Sequence, residues 1–191
     1  MKEKNEMTVN ESLALITETM NNSRKAILRN SAKHFVLWGC ILMVLSFTIW
    51  QLWSRSGNPA WNFLWFAMPL IGYPLAIMLG KKDESAPQSE ISRLIGYIWT
   101  VFGVFSMSIS AIAVFVVPMH ITLLIVIMLG LAESVSGVVL KNWPIIICGF
   151  ILGVGGAAVA VLWKSEAQLL LFTLGGALLV VTGLIVKSQY K

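Results

Sequence analysis

The stretch 119–163, MHITLLIVIMLGLAESVSGVVLKNWPIIICGFILGVGGAAVAVLW, decides the fold, because its only charged side chains are Glu133 and Lys141. Lys141-Asn142-Trp143 divides it into two apolar runs, Met119–Leu140 and Pro144–Trp163, of 22 and 20 residues. A bilayer core of about 30 Å is crossed by roughly 20 helical residues. In lipid no water takes up backbone polar groups, so an open apolar run of that length must be a helix. Neither run alternates in polarity as a barrel strand would. A connection this short makes the two helices antiparallel neighbours.

Four more runs of the same kind lie outward of this pair: His34–Trp53, Pro59–Leu79, Leu94–Val117 and Ala167–Val186, of 20, 21, 24 and 20 residues. The composition agrees, with 57% hydrophobic and 12% charged residues, about half the charge of an ordinary soluble domain. The fold class expected is an all-α membrane protein of six transmembrane helices. Short connections (54–58, Pro118, 141–143, 164–166) arrange them as three antiparallel hairpins. The bundle then covers 34–187, between an N-terminal segment 1–33 and a short tail 188–191.

Lys and Arg give the orientation. With the N-terminus inside, Lys2, Lys4, Arg24, Lys25, Arg29, Lys33, Lys81, Lys82, Arg93, Lys141, Lys187 and Lys191 are cytoplasmic, twelve of the 14 basic residues. Only Arg55 and Lys164 fall outside. Both termini are expected in the cytoplasm, and the bilayer is the partner expected for the spans. Trp50, Trp53, Trp61 and Trp163 near one boundary and Trp143 at the other form interfacial belts. The net charge of +5 reports this asymmetry. No basic patch interleaved with exposed aromatics points to nucleic acid. About thirty polar residues before the first apolar run argue against a cleaved signal peptide.

The segment 1–33 carries its own pattern. Thr8 and Glu11 have capping-box spacing. Val9, Leu13, Ile16, Met20 and Ile27 then recur at steps of three and four, with Ser23 filling the gap, as on one face of an amphipathic helix. Acids lead (Glu11, Glu18) and bases trail (Arg24, Lys25, Arg29), which suits the helix dipole. The expectation is a cytoplasmic amphipathic helix ahead of the spans. It rests on anionic headgroups through its basic end or packs under the bundle, or residues 8–29 dock a cytoplasmic protein or a second copy of the chain.

Inside the spans the chemistry is sparse. Glu133 is the one ionisable residue deep in a run, at a place where an acid costs about 2.5–3.5 kcal/mol to insert. Gly130, Ser134, Gly137 and Lys141 lie on or beside its helix face, so it should look into the bundle. It is either a proton- or cation-handling carboxylate, or a neutral or Lys-paired acid that fixes helix register. Pro69 and Pro74 remove bonds to the carbonyls of Trp65 and Leu70, predicting a kink. Gly149, Gly153 and Gly156 on the fifth span and Gly175, Gly176 and Gly183 on the sixth are small residues of the kind that let helix backbones approach. Gly96, Gly103, Ser106 and Ser110 do the same on the third.

Cys40 and Cys148 read as small hydrophobes, and His34 with these cysteines has no metal-ligand spacing. No metal or cofactor is expected. No Ser–His pair, paired acids, HExxH or phosphate loop appears, so the chain does not read as an enzyme.

One resemblance follows. Residues 136–147, SGVVLKNWPIII, with Asn58-Pro59-Ala60-Trp61-Asn62, Gly72-Tyr73-Pro74 and the early Glu11-Ser12-Leu13, resemble an uncharacterised family of small six-helix bacterial inner-membrane proteins. The resemblance implies a bacterial inner (plasma) membrane setting and supplies no activity or site. Substrate-binding subunits of energy-coupling-factor vitamin transporters are similar in size and span count, without an evident match to their contact motif on the first helix. Two functions therefore stand open: a regulatory or scaffolding membrane protein with a docking N-terminal helix, and a small-solute or ion transporter, or transporter subunit, using Glu133.

Overall fold

A computed structural model of the chain describes residues 9–81, 90–117, 119–163 and 165–189. The described residues are helical throughout and form no strand. Six helices are long and apolar enough to cross a membrane. These are α1 (Val9–Ser56), a second span that opens as a 3-10 helix (Pro59–Phe66) and goes on as α2 (Ala67–Lys81), α3 (Glu90–Phe115), α4 (Ile121–Leu140), α5 (Trp143–Leu162) and α6 (Gln168–Gln189).

The amphipathic segment and the first span are one helix of 48 residues with no break at His34. Thr8, the proposed cap, lies outside the described residues. Helix formation is cooperative, and between Met20 and Trp38 there is no Gly or Pro to stop it. The bundle also begins earlier than the hydropathy indicates, because Ile27, Leu28 and Ala32 belong to its buried core. What stands clear of it is the part around Leu13, Ile16 and Met20, each more than half exposed.

Consecutive spans pack together except the second and third, which meet little. The two most extensive pairings are α4 with α5, as their short connection requires, and α1 with α6, the first span with the last, which no hairpin predicts. The α1–α6 seam shows why. On α1 the buried or closely packed positions Leu28, Ala32, Phe35, Gly39, Leu42, Ser46 and Ile49 alternate steps of four and three, the spacing of a left-handed helix pair. Its small members meet small members of α6. A Cβ on Gly39 would stand 2.7 Å from the Gly176 carbonyl oxygen, and one on Gly183 would stand 2.9 Å from that of Ala32. Ser46 and Thr173 share a hydrogen bond of 2.9 Å across the seam. Ascending α1 is therefore descending α6, and the pair is antiparallel.

The core draws on α1, α4, α5 and α6, while the second and third spans lie at its edge. Neither α3 nor the 3-10 stretch has a buried residue. They lean on the core through partly buried side chains, among them Trp65, Met68, Ile95, Trp99 and Phe102, with Trp65 edge-on to Phe172 at 5.3 Å. Their remaining apolar side chains, such as Phe63, Leu70, Tyr97 and Phe115, face outward, as lipid-facing residues do.

The prolines act at a particular place. A helical N–H at residue 69 would bond Trp65, and Pro69 has none. The α-helical stretch accordingly begins only at Ala67. The carbonyls of Leu64 and Trp65 are taken instead by the N–H of Ala67. The irregularity of this span lies upstream of Pro69, and α2 runs on through Pro74 to Lys81.

Candidate functional site

The α4–α5 turn is over-determined by local chemistry. Lys141 sits in the left-handed region (φ 49°, ψ 46°). The N–H of Asn142 reaches the Gly137 carbonyl at 2.9 Å, and that of Lys141 reaches Val138 at 3.0 Å, the pair of bonds that closes a Schellman C-cap. Asn142 also caps α5, its Oδ1 accepting the Ile145 N–H at 3.3 Å. Its amide donates to Gln189 Oε1 at 3.2 Å. One buried asparagine thus ends α4, starts α5 and ties both to the end of α6.

Beyond this turn the two helices run backbone to backbone. A Cβ on Gly130 would collide with the backbone of Gly153, one on Gly149 with Ser134, and one on Gly137 with the backbone of Ile146. The three contacts share one antiparallel register, each pair lying equally far from the midpoint of Lys141 and Asn142. Gly156 continues the seam against Val126, 2.5 Å from a Cβ placed there. Immediately beyond Gly149 the helix widens into a π turn, Ile151–Gly155. Such turns relieve a register mismatch and recur at functional sites.

Glu133 lies on the flank of this seam and is 0% exposed. The packing leaves no water-sized space against its side chain. The Cys148 thiol of α5 faces it, and Thr182 of α6 also meets that thiol. Cys148 and Thr182 are themselves buried. Neither carboxyl oxygen has a hydrogen-bond partner of good geometry. The nearby Ser136 hydroxyl is committed to the Ala132 carbonyl at 2.7 Å. Lys141 is exposed at the helix end and does not pair with the acid, which removes the Lys-paired form of the register reading.

The structure therefore brings together Glu133, Ser134, Gly130 and Gly137 with Gly149 and Gly153. It places Gly175, Gly176 and Gly183 elsewhere, Gly175 against Leu152 and the other two against α1. Pro69 and Pro74 belong to the peripheral span. Cys40 is a half-buried free thiol, apart from Cys148. Among the described residues no cluster of three or more His, Cys, Asp or Glu could hold a metal.

Sequence reasoning missed Cys148 and Thr182 as neighbours of Glu133. The first was within reach, since Glu133 and Cys148 lie at similar distances on either side of a short turn. The second depends on how α6 packs, for which no local signal exists. Comparison with protein-family models, with curated proteins and with solved structures finds no match for this chain.

Proposed function

We propose that this is a bacterial inner-membrane scaffolding or regulatory protein whose first helix leaves the bilayer and docks a protein partner in the cytoplasm. The supporting observation is the unbroken α1. At about 1.5 Å per residue its 48 residues far exceed what one bilayer crossing needs, and the surplus carries Leu13, Ile16 and Met20 outward. The surplus and the span are one continuous helix, which favours projection over a separate helix lying flat on headgroups. The positive-inside distribution of Lys and Arg puts this projection in the cytoplasm. Apolar residues at steps of three and four offer an edge for a helix or groove.

The test is photo-crosslinking in intact cells from a reactive residue at Ile16, compared with one at Glu18 on the same helix turn. A discrete protein adduct from position 16, lost when Leu13 and Met20 become Glu, supports docking. Adducts to lipid alone, or equal adducts from both positions, overturn it. Deletion through Asn22 stops short of Ile27, so the bundle should still insert.

A small-solute or ion transporter remains the second reading, favoured by one observation. Among the described residues the Glu133 carboxyl is buried with no hydrogen-bond partner of good geometry, only the weak donor thiol of Cys148 facing it, and a side chain kept only as interhelical glue would show stronger bonds.

A further inference from the structure

A buried acid at the meeting of three helices with no well-formed hydrogen bond among the described residues, and only a thiol facing it, calls for a reason beyond packing. The surroundings limit what its ligand can be. The α4–α5 seam is closed by glycines against backbone, and no void touches the carboxyl. A hydrated cation has no room there, and a bare metal ion would find one carboxylate, one thiol and one hydroxyl. A proton needs no room. The titratable group facing Glu133 from α5 is Cys148, and α6 contributes the uncharged Thr182. The basic Lys141 of its own helix points to the surface.

We propose that Glu133, with Cys148 and Thr182, is an intramembrane proton site whose deprotonation opens the α4–α5 seam. A lone carboxylate taken out of water costs several kcal/mol, and the closed seam sets against it only the weak donor thiol of Cys148. The closed bundle therefore accommodates the neutral acid, and the carboxylate exists only where water reaches it. On opening, the proton passes from the carboxyl to an entering water; on closing, the carboxylate takes one back. The turn at Lys141–Asn142 is held by capping bonds and by Gln189. The helices therefore part at the other end of the seam, toward Gly130, Gly153 and the π turn Ile151–Gly155. This inference uses nothing from the projecting part of α1 and stands independently of the docking function.

Cys148 is its own reporter. The chain has two cysteines, so Cys40→Ser leaves one thiol, buried in the closed seam. The full-length protein in liposomes is alkylated with N-ethylmaleimide across a pH series, beside Glu133→Gln and Glu133→Asp in the same background. If only the open state ionises, the open fraction climbs about tenfold per pH unit above its titration point. Cys148 should then react more steeply with pH in the parent than in Glu133→Gln, whose slope reports thiol chemistry alone. Glu133→Asp should keep the extra slope.

The sign separates opening from simple charge. A carboxylate beside a closed-in thiol would suppress thiolate formation and slow the reaction as pH rises. Parallel slopes in parent and Glu133→Gln, or a parent that slows relative to it, overturn the proposal. If the variants fail to fold, hydrogen exchange of the 149–156 amides in the unmutated chain, corrected for its intrinsic pH dependence, measures the same opening. Protection there should fall as pH rises, and protection that stays constant with pH also overturns the proposal.

Discussion

Gly130 and Gly103 both sit in the middle of apolar spans, and their surroundings differ completely. Gly130 meets the backbone of Gly153 so closely that no side chain fits, whereas a Cβ on Gly103 would meet nothing within 4 Å. The same contrast separates whole regions. The helices α1, α4, α5 and α6 interlock through small residues and a few polar bonds. The second span and α3 are held by the edges of large side chains and expose the rest. Where lipid competes with protein for every apolar surface, hydrophobicity alone does not choose helix partners. Close backbone approach and interhelical hydrogen bonds do, and both are concentrated in the four-helix core.

The comparison is broken most directly by overfilling. Gly176→Leu drives a side chain into the Gly39 carbonyl and Met43, and backbone cannot move aside as a side chain can. A loss of about 3 kcal/mol, the upper end for overpacking, is expected in reversible unfolding from detergent micelles. Gly103→Leu should stay within about 0.5 kcal/mol, as surface changes do. Equal losses at the two sites would mean that α3 is packed against something other than lipid.

The caps sharpen the same contrast. Asn142 and Asn58 each accept a hydrogen bond at the start of a helix, from Ile145 N–H and Ala60 N–H. Asn142 is buried and also bonds α6, while Asn58 is exposed. Asn142→Ala should cost about 2 kcal/mol and Asn58→Ala about 0.5 kcal/mol, the two ends of the capping range. Thermal melts of the purified variants measure the difference, and a larger cost at Asn58 would reverse the assignment of core and periphery. Lys141→Gly relieves a left-handed lysine (φ 49°) and should raise stability by about 1 kcal/mol. A loss would show that the lysine side chain contributes more than its backbone costs. A small loss, about 0.6 kcal/mol, is expected for Ser46→Ala, typical of an interhelical hydrogen bond in a membrane. Thr173→Ala should add nothing further in the double variant.

Much of this architecture could be read from residues 1–191 alone, and the part that could not has a physical reason. The six apolar runs stand out because bilayer thickness imposes their length. Apart from α1, which begins at Val9 and not at His34, the observed helices agree to within a few residues, with Trp143–Leu162 against the expected Pro144–Trp163. Helix partners were harder to see. Ala32, Gly39 and Ser46 recur every seven residues, but on a helix that is apolar all round, nothing marks that face over the one carrying Trp38. The start of the bundle at Ile27 was obscured because Arg29, Lys33 and His34 look like a boundary while their neighbours Leu28 and Ala32 are already buried. Glu133 stood out as an acid among apolar residues, but its isolation did not. Pairing with Lys141, eight residues on, looked reasonable until the turn placed the lysine outside.

The continuity of α1 has a mechanical consequence. From Ile27, where the helix enters the bundle, to Val9 there are eighteen residue steps, about 27 Å at 1.5 Å per residue. An unbroken helix of that length is a lever whose short arm is clamped between Ala32 and Gly183. A tilt of roughly 10° there carries the tip about 5 Å, nearly one helical pitch of 5.4 Å. A load applied near Leu13 becomes torque on the α1–α6 seam, where glycine against carbonyl leaves no compliant side chain to absorb it.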